Sequence, residues 1–281
     1  MFKQMMAGAT LLGLAACSSP AEIGDQVLVA DAEAAELAPP SPPTPPVPPE
    51  PGEDGGVSFN DNSEQDGGTR EFSYSWPAEV SAIPALAKEL EARRDRDLAG
   101  QKTDWAQAMS DCPEGMTSCR SNAYEMTWQV VADTPRFLSL SNSLYTYGGG
   151  AHGNYWRGGH VWDREAKVKA LQDAKSLFIS GDALDAAIGK RVCDMLNAER
   201  AKRRGGPVTE GNWPNQCVAM EDETVVFLGS TNGKTFDRIG IYYAPYIAGP
   251  YAEGEFEFTV PVTKRVIAAV KPEYRGAFST M

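Results

Sequence analysis

Large apolar and small polar residues alternate in Phe72-Ser73-Tyr74-Ser75-Trp76 and stop at Pro77, which predicts a strand closed by proline. Ile83, Leu86 and Leu90 then recur at helical spacing ahead of the charged run ELEARRDRD, so Ser81 to about Met109 is predicted as an amphipathic helix. The period returns to two over Tyr124–Val131 and Arg136–Tyr147, segments rich in Trp, Val, Phe, Leu and Thr, with Asp133-Thr134-Pro135 between them as a turn. That pattern predicts an antiparallel hairpin, and Asn154–Trp162 adds a third strand after the glycine-rich string YGGGAHG. Leu184, Ile188, Val192 and Leu196 form the stripe of a second helix over about Asp182–Arg204, ended by Gly205-Gly206-Pro207. A further hairpin, Thr224–Leu228 with Thr235–Tyr243, is predicted around Asn232-Gly233, a pair suited to a type I′ turn because both positions need positive φ. A strand near Glu255–Val260 and a short helix over Val262–Val270 complete an α+β pattern, antiparallel sheets with the two main helices packed on one side.

The N-terminus follows neither period. Lys3 precedes an apolar run from Met5 to Ala16 that is too short to span a bilayer as a helix, and Cys17 follows Leu14-Ala15-Ala16. Residues 1–16 are predicted as a signal peptide, and the Leu-Ala-Ala-Cys string resembles a bacterial lipobox, with Cys17 the lipidated first residue of the mature chain. Diacyl and amide-linked chains together make a stable anchor, so the membrane is expected as a partner through lipid alone. The absence of Asp after Cys17 favours the outer over the inner membrane, on the periplasmic face. Residues 18–70 hold eleven acids and one base, and nine of the thirteen residues Pro39–Pro51 are proline. Residues 17–70 are therefore predicted as a lipidated, disordered tether, its proline run extended by roughly 40 Å at ~3.1 Å per residue. The globular part is expected at residues 71–281, in two parts, 71–160 and 161–281.

Charge then narrows the function. The whole 281-residue chain carries −12, which argues against nucleic acid as a partner, but residues 71–281 account for only −3 of it. Four cysteines remain after Cys17, an even number that suits an oxidising compartment; local closure favours Cys112 with Cys119 and Cys193 with Cys217. Their C-x6-C and C-x23-C spacings lack the close pairs of a structural zinc site.

No catalytic set is complete. His152 and His160 are the only histidines, and about 26 Å would separate them on one extended strand at ~3.3 Å per residue. YGGGAHG is followed by strand-like sequence rather than by the helix a phosphate cradle needs. Gly233-Lys234-Thr235 lacks the first glycine of a P-loop, which is Leu228 here. Thr235-Phe236-Asp237-Arg238 matches the first part of a polysaccharide-deacetylase motif but has Arg238 in place of the second Asp. Neither a metal nor a cofactor is expected. The basic string ERAKRRGG (Glu199–Gly206) suits either anionic phosphates or, more simply, a helix dipole. His152, Tyr147, Tyr246 and Tyr251 are candidate ligand-binding residues, and Tyr242, Tyr243, Tyr246 and Tyr251, broken by Pro245 and by Gly249-Pro250, suit either an aromatic platform or a hairpin core with a proline corner.

YTYGGGAHG (Tyr145–Gly153), WDREAKVKALQDAKSLF (Trp162–Phe178) and IYYAPYIAGPYAEGEFEFTVP (Ile241–Pro261) together resemble the envelope domain family DUF3298, with its usual partner region DUF4163 ahead of it, over roughly Phe72–Val270. Relatives of this RsiV/PdaC-like type include the extracytoplasmic domain of a lysozyme-sensing anti-sigma factor and the region ahead of a peptidoglycan deacetylase's catalytic domain. The resemblance implies a non-enzymatic envelope module that recognises peptidoglycan fragments or lysozyme-like protein; it implies no catalytic residues. The alternative is a cell-wall hydrolase or related enzyme using His152 with a nearby carboxylate such as Asp163 as general acid and base.

Overall fold

Alternating burial builds two sheets, and helical stripes cover them. A computed structural model describes residues 55–281 apart from 114, 210 and 222. The predicted signal peptide, Cys17 and the proline-rich stretch lie outside the described residues. The first sheet contains β1 (Val57–Asn60), β2 (Ser63–Gln65), β3 (Gly68–Trp76), β4 (Asn122–Asp133), β5 (Phe137–Tyr147), β6 (Asn154–Asp163) and β7 (Leu171–Asp173). Its order is β1-β3-β4-β5-β6-β7, with β2 also paired to β3. The second sheet is antiparallel, β10 (Phe256–Pro261), β9 (Arg238–Tyr243) and β8 (Val225–Gly229) in that order.

One pairing departs from the antiparallel expectation. Helices α1 (Ala78–Ser81) and α2 (Pro84–Asp111) carry the chain back after β3, so β4 lies parallel to it, Arg70 opposite Asn122. A helical crossover is what a parallel neighbour requires. Leu86 and Leu90 of α2 pack on Phe72, Tyr74, Trp76, Trp128, Leu138 and Leu140, the α2-facing side of the first sheet. The other long helix, α3 (Gly181–Arg204), runs its stripe of Leu184, Ile188, Val192 and Leu196 along Val226, Leu228, Ile239 and Ile241 of the second sheet. Gly205 adopts the left-handed conformation at φ 69° that terminates α3. A short α4 (Lys264–Ala269) completes this core. The described residues thus form an α+β fold with two sheets and two long helices, and both predicted disulfides are present, their Cα atoms 5.7 Å (Cys112–Cys119) and 5.3 Å (Cys193–Cys217) apart.

The folded part begins earlier than Glu71. Val57 and Phe59 pack on the α2-side core while β1 pairs with Ser73–Trp76. The acids here are not those of a solvated linker: Asp61 bonds the buried Arg70 and lies 2.8 Å from Lys102 Nζ, and these partners hold its carboxyl below the usual range. The Asn232-Gly233 turn is also different. Gly229 pairs with Arg238, so residues 230–237 form a longer loop in which only Gly233, at φ 64°, is left-handed. Asn232 Oδ1 instead accepts the backbone N–H groups of Lys234 and Thr235, while buried Asp237 accepts from Thr231.

Candidate functional site

The two motifs most distant in sequence meet in space. Tyr145–Tyr147 end β5, the glycines turn, and Asn154 begins β6, so Tyr145 and Tyr155 become cross-strand partners. Tyr147 donates its hydroxyl to the Gly150 carbonyl at 3.0 Å, fixing the turn. Between β9 and β10 the chain runs through Ala244–Gly249 into a short 3₁₀ turn, Tyr251–Glu253. Tyr251 donates to the Gly153 carbonyl at 2.8 Å and stacks on His152, ring centroids 3.9 Å apart at 18°. Tyr246 lies 5.5 Å and Tyr155 6.2 Å from the Tyr251 ring. His152, Tyr246 and Tyr251 therefore form one aromatic ledge; Tyr147 braces the glycine loop, and Tyr242 and Tyr243 do not join a platform because both are buried in the core.

The C-terminus of α3 holds this ledge in place. Arg200, fully buried, donates twice to the Ala248 carbonyl, at 2.9 and 2.6 Å, and also to Asn197 Oδ1 and the Asn215 carbonyl. Burial, then Arg204, lowers the Arg200 pKa from its ordinary value. Arg203 donates to the Glu253 and Glu255 carbonyls and covers the Phe256 ring at 4.0 Å. Arg204 forks onto the Glu253 carboxylate at 2.7 and 2.8 Å. These last-turn cations thus spend their charge on the loop of the ledge. Tyr246 sits at φ 72°, a conformation that costs a non-glycine residue free energy and persists only where neighbours impose it. Trp213 supplies one constraint, its indole N–H donating to the Tyr246 carbonyl at 3.2 Å. Trp213 and Tyr246 are 51% and 52% exposed, so the ledge presents open aromatic faces. Burial raises the pKa of Tyr251, Tyr155 and Tyr145, which keeps their hydroxyls protonated as donors.

Chemically this is a stacking surface with hydrogen-bonding edges. The alternative pairing of His152 with Asp163 does not form. His152 precedes β6 and Asp163 ends it, and β6 alone spans about 30 Å at ~3.3 Å per residue. Asp163 is only 3% exposed and accepts both N–H groups of the Arg136 fork at 3.1 and 2.8 Å. Its burial raises the carboxyl pKa, but Arg136 and the Glu165 backbone N–H outweigh that and leave it low. His152 Nδ1 lies 3.0 Å from the Gly153 carbonyl. Among the described residues no cluster of three metal-ligating side chains occurs.

Trp213, Tyr155 and Arg200 complete the site and were not among the predicted residues. The signal for Arg200 was its place one helical step beyond Val192 and Leu196, on the apolar stripe. Trp213 carried none, because it lies between turn residues far from both motifs.

The fold and ledge define a two-part α+β module whose halves each contribute one loop to a shared surface. Residues 63–155 match the family described as Deacetylase PdaC, and residues 176–263 match the protein family of unknown function DUF3298. The chain thus carries a PdaC-family region followed by a DUF3298-family region. Two solved structures resemble it: a DUF3298 family member from Bacteroides fragilis (14% identity, TM-score 0.47, covering 79% of this chain and 95% of that one) and one from Pseudomonas aeruginosa (17%, 0.44, 80% and 97%). No curated protein matches. No described helix is long and apolar enough to cross a membrane.

Proposed function

We propose that the chain is a cell-envelope binding module, anchored through lipid on Cys17 to the outer membrane and held off it by the acidic, proline-rich segment. Its ledge recognises peptidoglycan fragments or a lysozyme-like protein. One observation carries this reading: the glycine-histidine loop and the tyrosine-proline loop, which bear the family resemblance, converge on the His152–Tyr251 stack. Exposed, rigidly held aromatic side chains are the usual anchors of sugar and protein recognition. Deacetylase chemistry, which the description of the N-terminal family names, finds no support in Asp237, whose carboxylate is engaged by Thr231 and Asn232.

The test is calorimetric titration of the full chain with a c-type lysozyme and, separately, with soluble muropeptides. Saturable binding to one of them is expected, weakened about tenfold or more by Tyr251→Ala or Tyr246→Ala. Silence with both removes the reading. Lipid anchoring is tested separately by palmitate labelling in cells, expected for the native chain and lost in Cys17→Ala.

A further inference from the structure

A pocket at the edge of β6 is not used by the ledge. Its volume is about 330 Å³, and Trp156, Gly158, His160, Asp173 and Glu223 border it. β7 pairs with β6 only from His160 to Trp162, so the pocket opens beside a stretch of β6 with no described strand on that side. Trp156, Gly158 and His160 alternate along the strand and share a face. Two polar atoms, His160 Nε2 in the lining and Asn142 Oδ1 one layer behind it at Gly158, are buried without a hydrogen-bond partner among the described residues. Both converge with the rim of the Trp156 ring on the point where a side chain at Gly158 would begin; His160 Nε2 and Trp156 Cη2 are each 2.8 Å from it.

Buried polar atoms without partners are rare in native proteins, and each raises the question of what satisfies it. Here the atom group above them is an indole that is 41% exposed, a movable side chain rather than packed core. An open indole face takes the apolar face of a ring, and directed polar atoms around it take hydroxyls. A hydroxyl donates and accepts, so it suits the Asn142 amide and either tautomer of His160. Exposed carboxylates of Asp173 and Glu223 supply further acceptors at the rim. We propose that this pocket is a carbohydrate-binding subsite: a sugar ring stacks on Trp156, the indole rim shifts, and ring hydroxyls bond Asn142 Oδ1 and His160 Nε2 while Asp173 and Glu223 accept others. The subsite uses none of His152, Tyr246 or Tyr251 and stands independently of the ledge reading.

The experiment is titration of the full chain with chitotriose, cellotriose and maltotriose. Binding is followed by the indole N–H resonance of Trp156, assigned with Trp156→Phe. At least one sugar is expected to shift that resonance saturably at millimolar concentration. Trp156→Ala and Asn142→Ala should each weaken binding about tenfold, with Val168→Ala, at an exposed position outside both sites, leaving it within about twofold. Asn142 is buried, so the exposed Asp173→Asn, expected to weaken binding severalfold, carries the same test should Asn142→Ala fail to fold. No shift with any of the three sugars, or a sugar affinity unchanged in Trp156→Ala, overturns the subsite. Binding of lysozyme or muropeptides that depends on Tyr251, with no oligosaccharide response, removes the subsite and leaves the ledge standing.

Discussion

Arg200 brings a positive charge into the C-terminal core and meets carbonyl and amide oxygens there rather than a carboxylate. Truncating it leaves the Ala248 and Asn215 carbonyls without those donors and opens a cavity, each effect costing a few kcal/mol. Arg200→Ala is expected to destabilise the protein by roughly 3 kcal/mol in urea unfolding, and to release the loop that carries Tyr246. His160 acts through protons. Burial, with Arg93 beside it and opposed by Asp173 and Glu89, pushes its pKa from 6.5 down to about 4. Between those values the unfolded chain takes up a proton that the folded one refuses. The stability His160 confers is therefore complete above pH 6.5 and is lost as pH falls towards 4, by up to about 3 kcal/mol. Urea midpoints should fall between pH 7 and pH 4.5 in the native chain and fall less in His160→Gln. Asp61 lies outside this window, because Lys102 and Arg70 hold its carboxyl below 3.8. At this scale the sequence pattern disclosed His152 and Tyr251 through their motifs. Arg200 was hidden among neighbouring cations that look like a solvated helix end.

Elements meet closely where β8 crosses β6. A methyl group on Gly159 would overlap the Val226 carbonyl, a backbone atom that cannot turn aside. Gly159→Ala is expected to cost about 3 kcal/mol and to broaden amide signals in both strands, whereas Gly233→Ala, at an open turn, acts only through its positive φ and costs about 1 kcal/mol. The Cys193–Cys217 bond joins α3 to the segment bearing Trp213. Its removal by the double Ser variant should lower stability by roughly 3 kcal/mol and weaken the Trp213 brace on the ledge. The long helices and β4 to β6 were legible because their periods persist over many residues. The parallel partnership of β3 and β4 was not, since a strand's own alternation is silent about the direction of its neighbour.

For the whole molecule the decisive boundary is Val57. A chain beginning at Glu71 loses β1, β2 and Arg70, and with them Phe59, which packs edge-on against Phe72 at 6.1 Å beneath Arg94. Compared with a chain beginning at Gly55, it is expected to melt at lower temperature, by an amount equivalent to roughly 3 kcal/mol or more. Composition concealed this boundary: β1 and β2 span four and three residues, and acids surround them. Their charges become intelligible only beside Arg70 and Lys102, which come from later in the chain. The two disulfides have a consequence for biogenesis. Each joins neighbouring cysteines in chain order, the first described cysteine with the second and the third with the fourth. A polypeptide threaded into an oxidising compartment N-terminus first can seal each bond as soon as its second thiol emerges. With the earlier Cys17 held by lipid as proposed, simple oxidation in order of arrival suffices, and no shuffling catalyst has to correct the pairing.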